Sequence, residues 1–145
     1  MQRARSKACF ARTALSGLVL GVDTVVALGD EELGNPADRD AARRMLLRLA
    51  GREHLVHTGH CLHVGGTDLT FTALATARVS CDALAAERLE RYLDSGEWAG
   101  KAGSYGIQDA ACDFMHLLDG SRDTVIGLHV ATVTELIERW RARSR

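Results

Sequence analysis

Asp23 stands at the end of the apolar run Leu18-Val-Leu-Gly-Val22, where an unpaired carboxylate would be expensive to bury. Hydrogen bonds, a metal or a cleft mouth must therefore accommodate it. An aspartate at a strand end commonly bonds to its own backbone in a turn. A chemical reading stands beside that one: the carboxylate takes a proton from water, or binds Mg²⁺, a hard cation that prefers oxygen donors and neutralises phosphate charge. A second candidate is the stretch Gly100-Lys101-Ala102-Gly103-Ser104-Tyr105-Gly106-Ile107-Gln108. Its glycines let backbone approach a ligand, Lys101 could meet a phosphate, and Gln108 could read a base edge through its amide donor and acceptor. A solvated surface loop has the same composition. A third is the histidine-rich segment His54, His57, His60, Cys61 and His63. With a period of two, His57, Cys61 and His63 share one strand face while His54, Thr58 and His60 share the other. Cys61 and His63 could ligate one soft metal, although a histidine-rich strand needs none. His116 and His129 stand apart, as surface residues or at a helix start.

The elements that would position these groups follow from periodicity and punctuation. Gln2–Leu15 contains no Gly or Pro and carries Ala8, Ala11 and Leu15 at helical spacing, which predicts a helix. Leu18–Leu28 reads as a buried strand, with Gly29-Asp30 turning the chain into the short segment Glu31–Leu33. Asn35-Pro36 predicts a helix start, since Asn caps and Pro is tolerated at the first helical position. Ala42, Met45, Leu46 and Leu49 form that helix's apolar face, and Gly51 ends it. Glu53–Val64 and Thr67–Val79 read as long paired strands joined through Gly65-Gly66. Ala85, Leu89 and Tyr92 mark a second helix with Gly96 behind it, and the glycine-rich stretch through Ser104 is a loop. Phe114–Leu118 is an apolar stretch of undetermined type. Thr132-Val-Thr-Glu135 reads as a capping box opening a C-terminal helix with Val133, Leu136, Ile137 and Trp140 on one face. Strands and helices alternate without repeats or a linker, so the class is α/β, one domain over residues 1–145 with a mixed sheet flanked by helices.

Composition narrows the functional classes. The 145 residues are 46% hydrophobic, enough for a real core. Eighteen Lys and Arg nearly balance nineteen Asp and Glu, so no net field would draw the chain onto nucleic acid or an anionic membrane. The longest apolar run is interrupted by Gly21 and Asp23, far short of the roughly 20 residues a membrane span needs. No secretory signal pattern follows the basic start, and Cys9, Cys61, Cys81 and Cys112 form no C-x-x-C pair, so the expectation is a soluble, cytoplasmic protein with reduced, mostly buried thiols. Walker, G-x-G-x-x-G, H-E-x-x-H and G-x-S-x-G signatures are absent.

Several ordered strings nevertheless point one way. Leu20-Gly21-Val22-Asp23-Thr24-Val25-Val26, Leu33-Gly34-Asn35-Pro36, Ala41-Ala42-Arg43-Arg44-Met45-Leu46, Val56-His57-Thr58-Gly59, Lys101 through Gln108, Gly120-Ser121 and Val125-Ile126-Gly127-Leu128 together closely resemble the Maf family of nucleoside triphosphate pyrophosphatases. The resemblance runs in register from about Ala4 to about Trp140. It implies a Maf/inosine-triphosphate-pyrophosphatase-like fold and a hydrolase that cuts a nucleoside triphosphate between the α and β phosphates, with a divalent cation, Mg or Mn. On this resemblance Asp23 is the proton acceptor or metal ligand and Lys101 meets phosphate charge. Thr24 and Gln108 match positions tied to base choice, and Asn35 lies where the family binds substrate. The Asp-Thr pair with Tyr-Gly-Ile-Gln looks like the branch acting on dTTP and UTP.

Three departures accompany the resemblance. The family opens with a strand and an S-x-S-P-R-R loop followed by an acidic segment, and the present sequence begins after them, which reads as an N-terminal truncation. Gly34-Asn35-Pro36 stands where the family has Gly-Lys-Pro, and Gly100-Lys101-Ala102-Gly103 where it usually has Asp-Lys-Ala-Gly. Lost cations and carboxylates are expected to weaken phosphate and metal binding. A degenerate, catalytically weak remnant that binds nucleotides or protein partners is therefore the alternative to an active dTTP/UTP pyrophosphatase. A missing strand would also expose an edge that invites pairing with a second copy, giving a homodimer.

Overall fold

Strand β1 spans Leu18–Leu28, the bounds its apolar, Val-rich run predicts. The computed structural model describes residues 17–144, so the helix expected over Gln2–Leu15 and the thiol of Cys9 lie outside them. Gly29, in the left-handed region at φ +60°, turns the chain into β2 (Glu31–Leu33), which pairs antiparallel with β1 through Val26↔Leu33 and Leu28↔Glu31.

Helix α1 covers Arg39–Leu49 and begins later than Asn35-Pro36 predicts. Asp38 is its N-cap, its carboxylate accepting the Ala41 backbone N–H at 2.7 Å. A carboxylate at the cap favours the positive end of the helix, and Asp38 supplies both that charge and the bond to the Ala41 N–H, so the helix starts after Pro36 rather than at it. Gly51, at φ +69°, ends it as expected. β3 (Glu53–Val64) follows with the predicted bounds. β4 runs over Thr70–Cys81, three residues later at its start than the alternation predicts. The Thr67 hydroxyl accounts for the shift, because it donates to the Val64 carbonyl at 2.8 Å and accepts the Leu69 N–H at 3.1 Å, committing residues 67–69 to the turn.

Helix α2 (Ala86–Ser95) stops at Gly96, φ +71°, whose N–H bonds back to Leu93. A short 3₁₀ turn follows at Ala102–Ser104, inside the segment expected to be an irregular loop. β5 (Met115–Asp119) then pairs antiparallel with β4, Cys81 facing Met115. A brief helix, α3 (Arg122–Ile126), precedes α4 (Val130–Arg143). α4 starts two residues before Thr132, with His129 at its N-cap position, so the expected capping box does not form. Thr132 instead lies in the first turn with its hydroxyl 2.8 Å from His129 Nδ1, and it is buried. The five strands are ordered β2-β1-β3-β4-β5.

The chain divides into two compact units, one taking in residues up to Thr24, Thr58–Ala75 and from Gly127 onward, the other Val25–His57 and Thr76–Ile126. Each has its own apolar core. In the first, Leu62, Phe71 and Leu136 are buried together with Leu20, Ile137 and Trp140 against them. In the second, Val26, Leu46, Leu49, Val79, Tyr92, Tyr105 and Phe114 lead a larger cluster, with the Tyr92 and Phe114 rings edge to face at 5.0 Å. α1 packs on both α2 and the 102–104 turn in that unit. Cys61, Cys81 and Cys112 are buried; burial pushes the Cys81 thiol up to about 11 and that of Cys112 up to about 12, which leaves both protonated and unreactive.

Candidate active site

In the first unit, Asp23 and Thr24 sit side by side in β1. Asp23 is the sixth residue of an eleven-residue strand, not a residue at its end, so the turn-aspartate reading falls away. Its side chain is half-buried. Thr24 Oγ1 lies 2.9 Å from Thr58 Oγ1 on β3. A Cβ on Gly127 would come within 3.3 Å of the same hydroxyl. A hydroxyl carries one donor and two acceptor positions, so this bond leaves Thr24 capacity for a ligand. His60 on β3 accepts the His129 backbone N–H at Nε2, 3.1 Å away, tying the start of α4 to the strand.

In the second unit, the Lys101 segment is built onto Gly34-Asn35. The Gly103 N–H donates to the Gly34 carbonyl at 3.0 Å, which sets the amide of Asn35 and the ammonium of Lys101 on neighbouring stretches of chain. Gly103 (φ +69°) and Ser104 (φ +67°) are both left-handed, and Ser104 is the one non-glycine residue with positive φ among those described. Strain of this kind persists where the surroundings over-determine it. Here Ser104 is fully buried with Oγ 3.2 Å from the Met45 sulfur of α1. Asn35 and Gln108 are exposed.

Two residues that periodicity does not single out complete this region. Asp109 forms an ion pair with Lys101; its side chain is 10% exposed and that of Lys101 29%. Arg122 Nη2 donates to the Ile107 carbonyl at 2.6 Å, fixing the chain just before Gln108. An acidic residue eight positions after the lysine was the available signal for Asp109, but nothing in the sequence closes that distance.

The histidine-rich strand divides its roles. His57 Nδ1 lies 2.9 Å from Thr76 Oγ1, and His54 Nε2 lies 2.7 Å from the Tyr105 hydroxyl, with the two rings edge to face. Among the described residues no group of three His, Cys, Asp or Glu could hold a metal ion, so Cys61 and His63 find no third ligand there. Burial lowers His54 from its usual value near 6.5 to about 4 and disfavours protonation of His60, as does the neighbouring His129. Above about pH 6.5 the His54 ring is neutral in folded and unfolded chains alike, and its full contribution is present. As pH falls below that value, the unfolded chain takes up a proton that the folded chain refuses until about pH 4, and stability is lost across that window. The His54 contribution to this loss is expected to be about 2–3 kcal/mol. Urea unfolding at about pH 7.5 and about pH 4.5 measures it. His54→Phe should make stability less dependent on pH over this range; an unchanged pH dependence would contradict the account of His54.

Comparison with known proteins places this α/β fold in a family. The Maf-like protein family model matches residues 1–140, and the chain belongs to that family. A relative from Shouchella clausii named dTTP/UTP pyrophosphatase is 37% identical over 136 residues, covering 94% of this chain and 70% of the relative. Proteins of the same name from Desulforamulus reducens and Bordetella avium are 35% and 44% identical, covering 92% and 83% of this chain. The chain spans 70% of the first of these and 59% of the second. No helix among the described residues is long and apolar enough to cross a membrane.

Proposed function

We propose that this protein is a nucleoside triphosphate pyrophosphatase acting on dTTP and UTP, releasing the monophosphate and pyrophosphate. The observation that supports it most is that the family match runs unbroken through both the Asp23–Val26 and the Lys101–Gln108 stretches.

Asp23 is assigned as the general base. Water oxygen attacks the α-phosphorus, its proton passes to an Asp23 carboxylate oxygen, and the bond from that phosphorus to the bridging oxygen breaks with pyrophosphate leaving. Lys101 offsets phosphate charge, most of all where it grows on the leaving group. Asn35 donates its amide to phosphate oxygen in place of a cation. Thr24 and Gln108 read the base through hydroxyl and amide groups.

A divalent cation, Mg or Mn, of the kind held by one or two carboxylates plus substrate phosphates rather than by an all-protein cage, would take Asp23 as its protein ligand. When bound, such a cation neutralises phosphate charge and polarises the phosphoryl oxygen.

Turnover of UTP, dTTP, GTP and ATP with Mg²⁺ or Mn²⁺ tests the assignment. Cleavage of UTP and dTTP ahead of the purine nucleotides is expected, and a folded protein that cleaves none of them would contradict it. Substituting Thr24 by Val or Gln108 by Leu should change the ratio of UTP to GTP cleavage by roughly 10-fold or more, because a site built to bond a polar edge discriminates through those bonds. Equal slowing of every nucleotide would make both residues structural or catalytic instead.

A further inference from the structure

Gly100, the residue before Lys101, has no side chain that could hold the ammonium. The fold nevertheless supplies a carboxylate to this lysine from eight residues downstream. Asp109 Oδ2 accepts from Lys101 Nζ, and the pair lies mostly out of water, with Asp109 the more buried partner. The backbone that carries Asp109 is pinned on both sides. Its N–H donates to the Gly106 carbonyl at 2.9 Å, and its carbonyl accepts the Cys112 N–H at 3.1 Å. Arg122 holds Ile107 in the same turn. The chain is also shaped around the carboxylate, since a Cβ on Gly106 would lie 2.5–2.8 Å from the three carboxylate atoms of Asp109.

Resting on the assignment of Lys101 to the phosphates, we propose that Asp109 is the positioning residue for Lys101. A lysine has four rotatable side-chain bonds and a point charge, so an unheld ammonium spreads over many positions. A fixed carboxylate confines it to one before the triphosphate arrives, which lowers the ordering cost of binding. Asp109 would touch neither water nor phosphate and act through Lys101 alone.

Acylation of lysine tests this independently of turnover. The chain has two lysines, Lys7 and Lys101, so peptide mass spectrometry reads Lys101 unambiguously, with Lys7 as internal reference. In the native protein Lys101 should react slowly, and UTP should protect it further. Asp109→Asn and Asp109→Ser, both checked for unchanged circular dichroism and melting, should each speed Lys101 acylation several-fold. Protection should then need roughly 10-fold more UTP, the scale of effect expected from a residue that orients a ligand-contacting group. In a Lys101→Met background, Asp109→Asn should leave UTP affinity unchanged, which a general structural role would not. Unchanged acylation in both Asp109 variants would overturn the inference. Tighter UTP binding would overturn it too, making the carboxylate a competitor of the phosphates. If UTP fails to protect Lys101 in the native protein, the assignment of Lys101 to the phosphates falls, and with it the purpose given to Asp109, while the acylation rates still decide whether the pair exists in solution.

Discussion

Asp23→Asn is expected to reduce triphosphate cleavage by at least about 10²-fold while the protein melts as before. The amide keeps the volume and planarity of the carboxylate, so the half-buried position in β1 is filled as it was. What disappears is the capacity to take a proton from water, and an anionic oxygen donor for a cation. Both losses act on the chemical step, so kcat should fall more than KM rises. Steady-state kinetics on UTP beside a melting curve reads the two effects separately. Unchanged turnover in a folded variant would remove Asp23 from the chemistry, and a variant that no longer folds would make the carboxylate structural.

Gly103→Ala is expected to cost about 3–5 kcal/mol of stability in the second unit, from left-handed strain added to overpacking. Backbone at φ +69° disfavours any side chain, and a Cβ there would stand 2.8 Å from Val26 Cγ2 and 3.1 Å from Val26 Cβ. Val26 is 2% exposed and belongs to the core cluster, so it can yield only by disturbing its close-packed neighbours. The displaced turn would also strain the Gly103 N–H bond to Gly34, so the Lys101 and Asn35 segments should lose their registration and UTP affinity should drop with stability. Chemical unfolding of Gly103→Ala, Val26→Ala and the double variant checks the mechanism. The two changes should be strongly coupled, with Val26→Ala recovering part of the glycine loss, whereas additive costs would show that the close approach is not the cause.

The bounds of β1 and β3 were legible because Val-rich or alternating runs end at glycines that turn the chain. The helix ends at Gly51 and Gly96 were legible for the same reason, as both residues adopt the left-handed backbone that ends a helix. Helix starts were less so. Asn35-Pro36 and Asp38 are both competent caps within four residues, and Thr132 and His129 compete in the same way at α4. Tertiary contacts decide between them, as the bond from the His129 N–H to His60 shows. β5 went unrecognised because it is five residues long and four of them are exposed, so its pattern carries no buried face. In the candidate site, glycine spacing marked Lys101 and Gln108. The partner of Lys101 stayed hidden because an ion pair closed by a folded turn has no period along the chain.

Cleavage of UTP in oxygen-18-labelled water, with the products resolved by phosphorus NMR, tests the central claim most directly. Attack of water on the α-phosphorus puts the heavy oxygen in the uridine monophosphate and leaves the pyrophosphate unlabelled, and that is the expected result. Label in the pyrophosphate, or release of orthophosphate with a nucleoside diphosphate, would place the broken bond elsewhere and contradict the assignment of this protein as a nucleoside triphosphate pyrophosphatase.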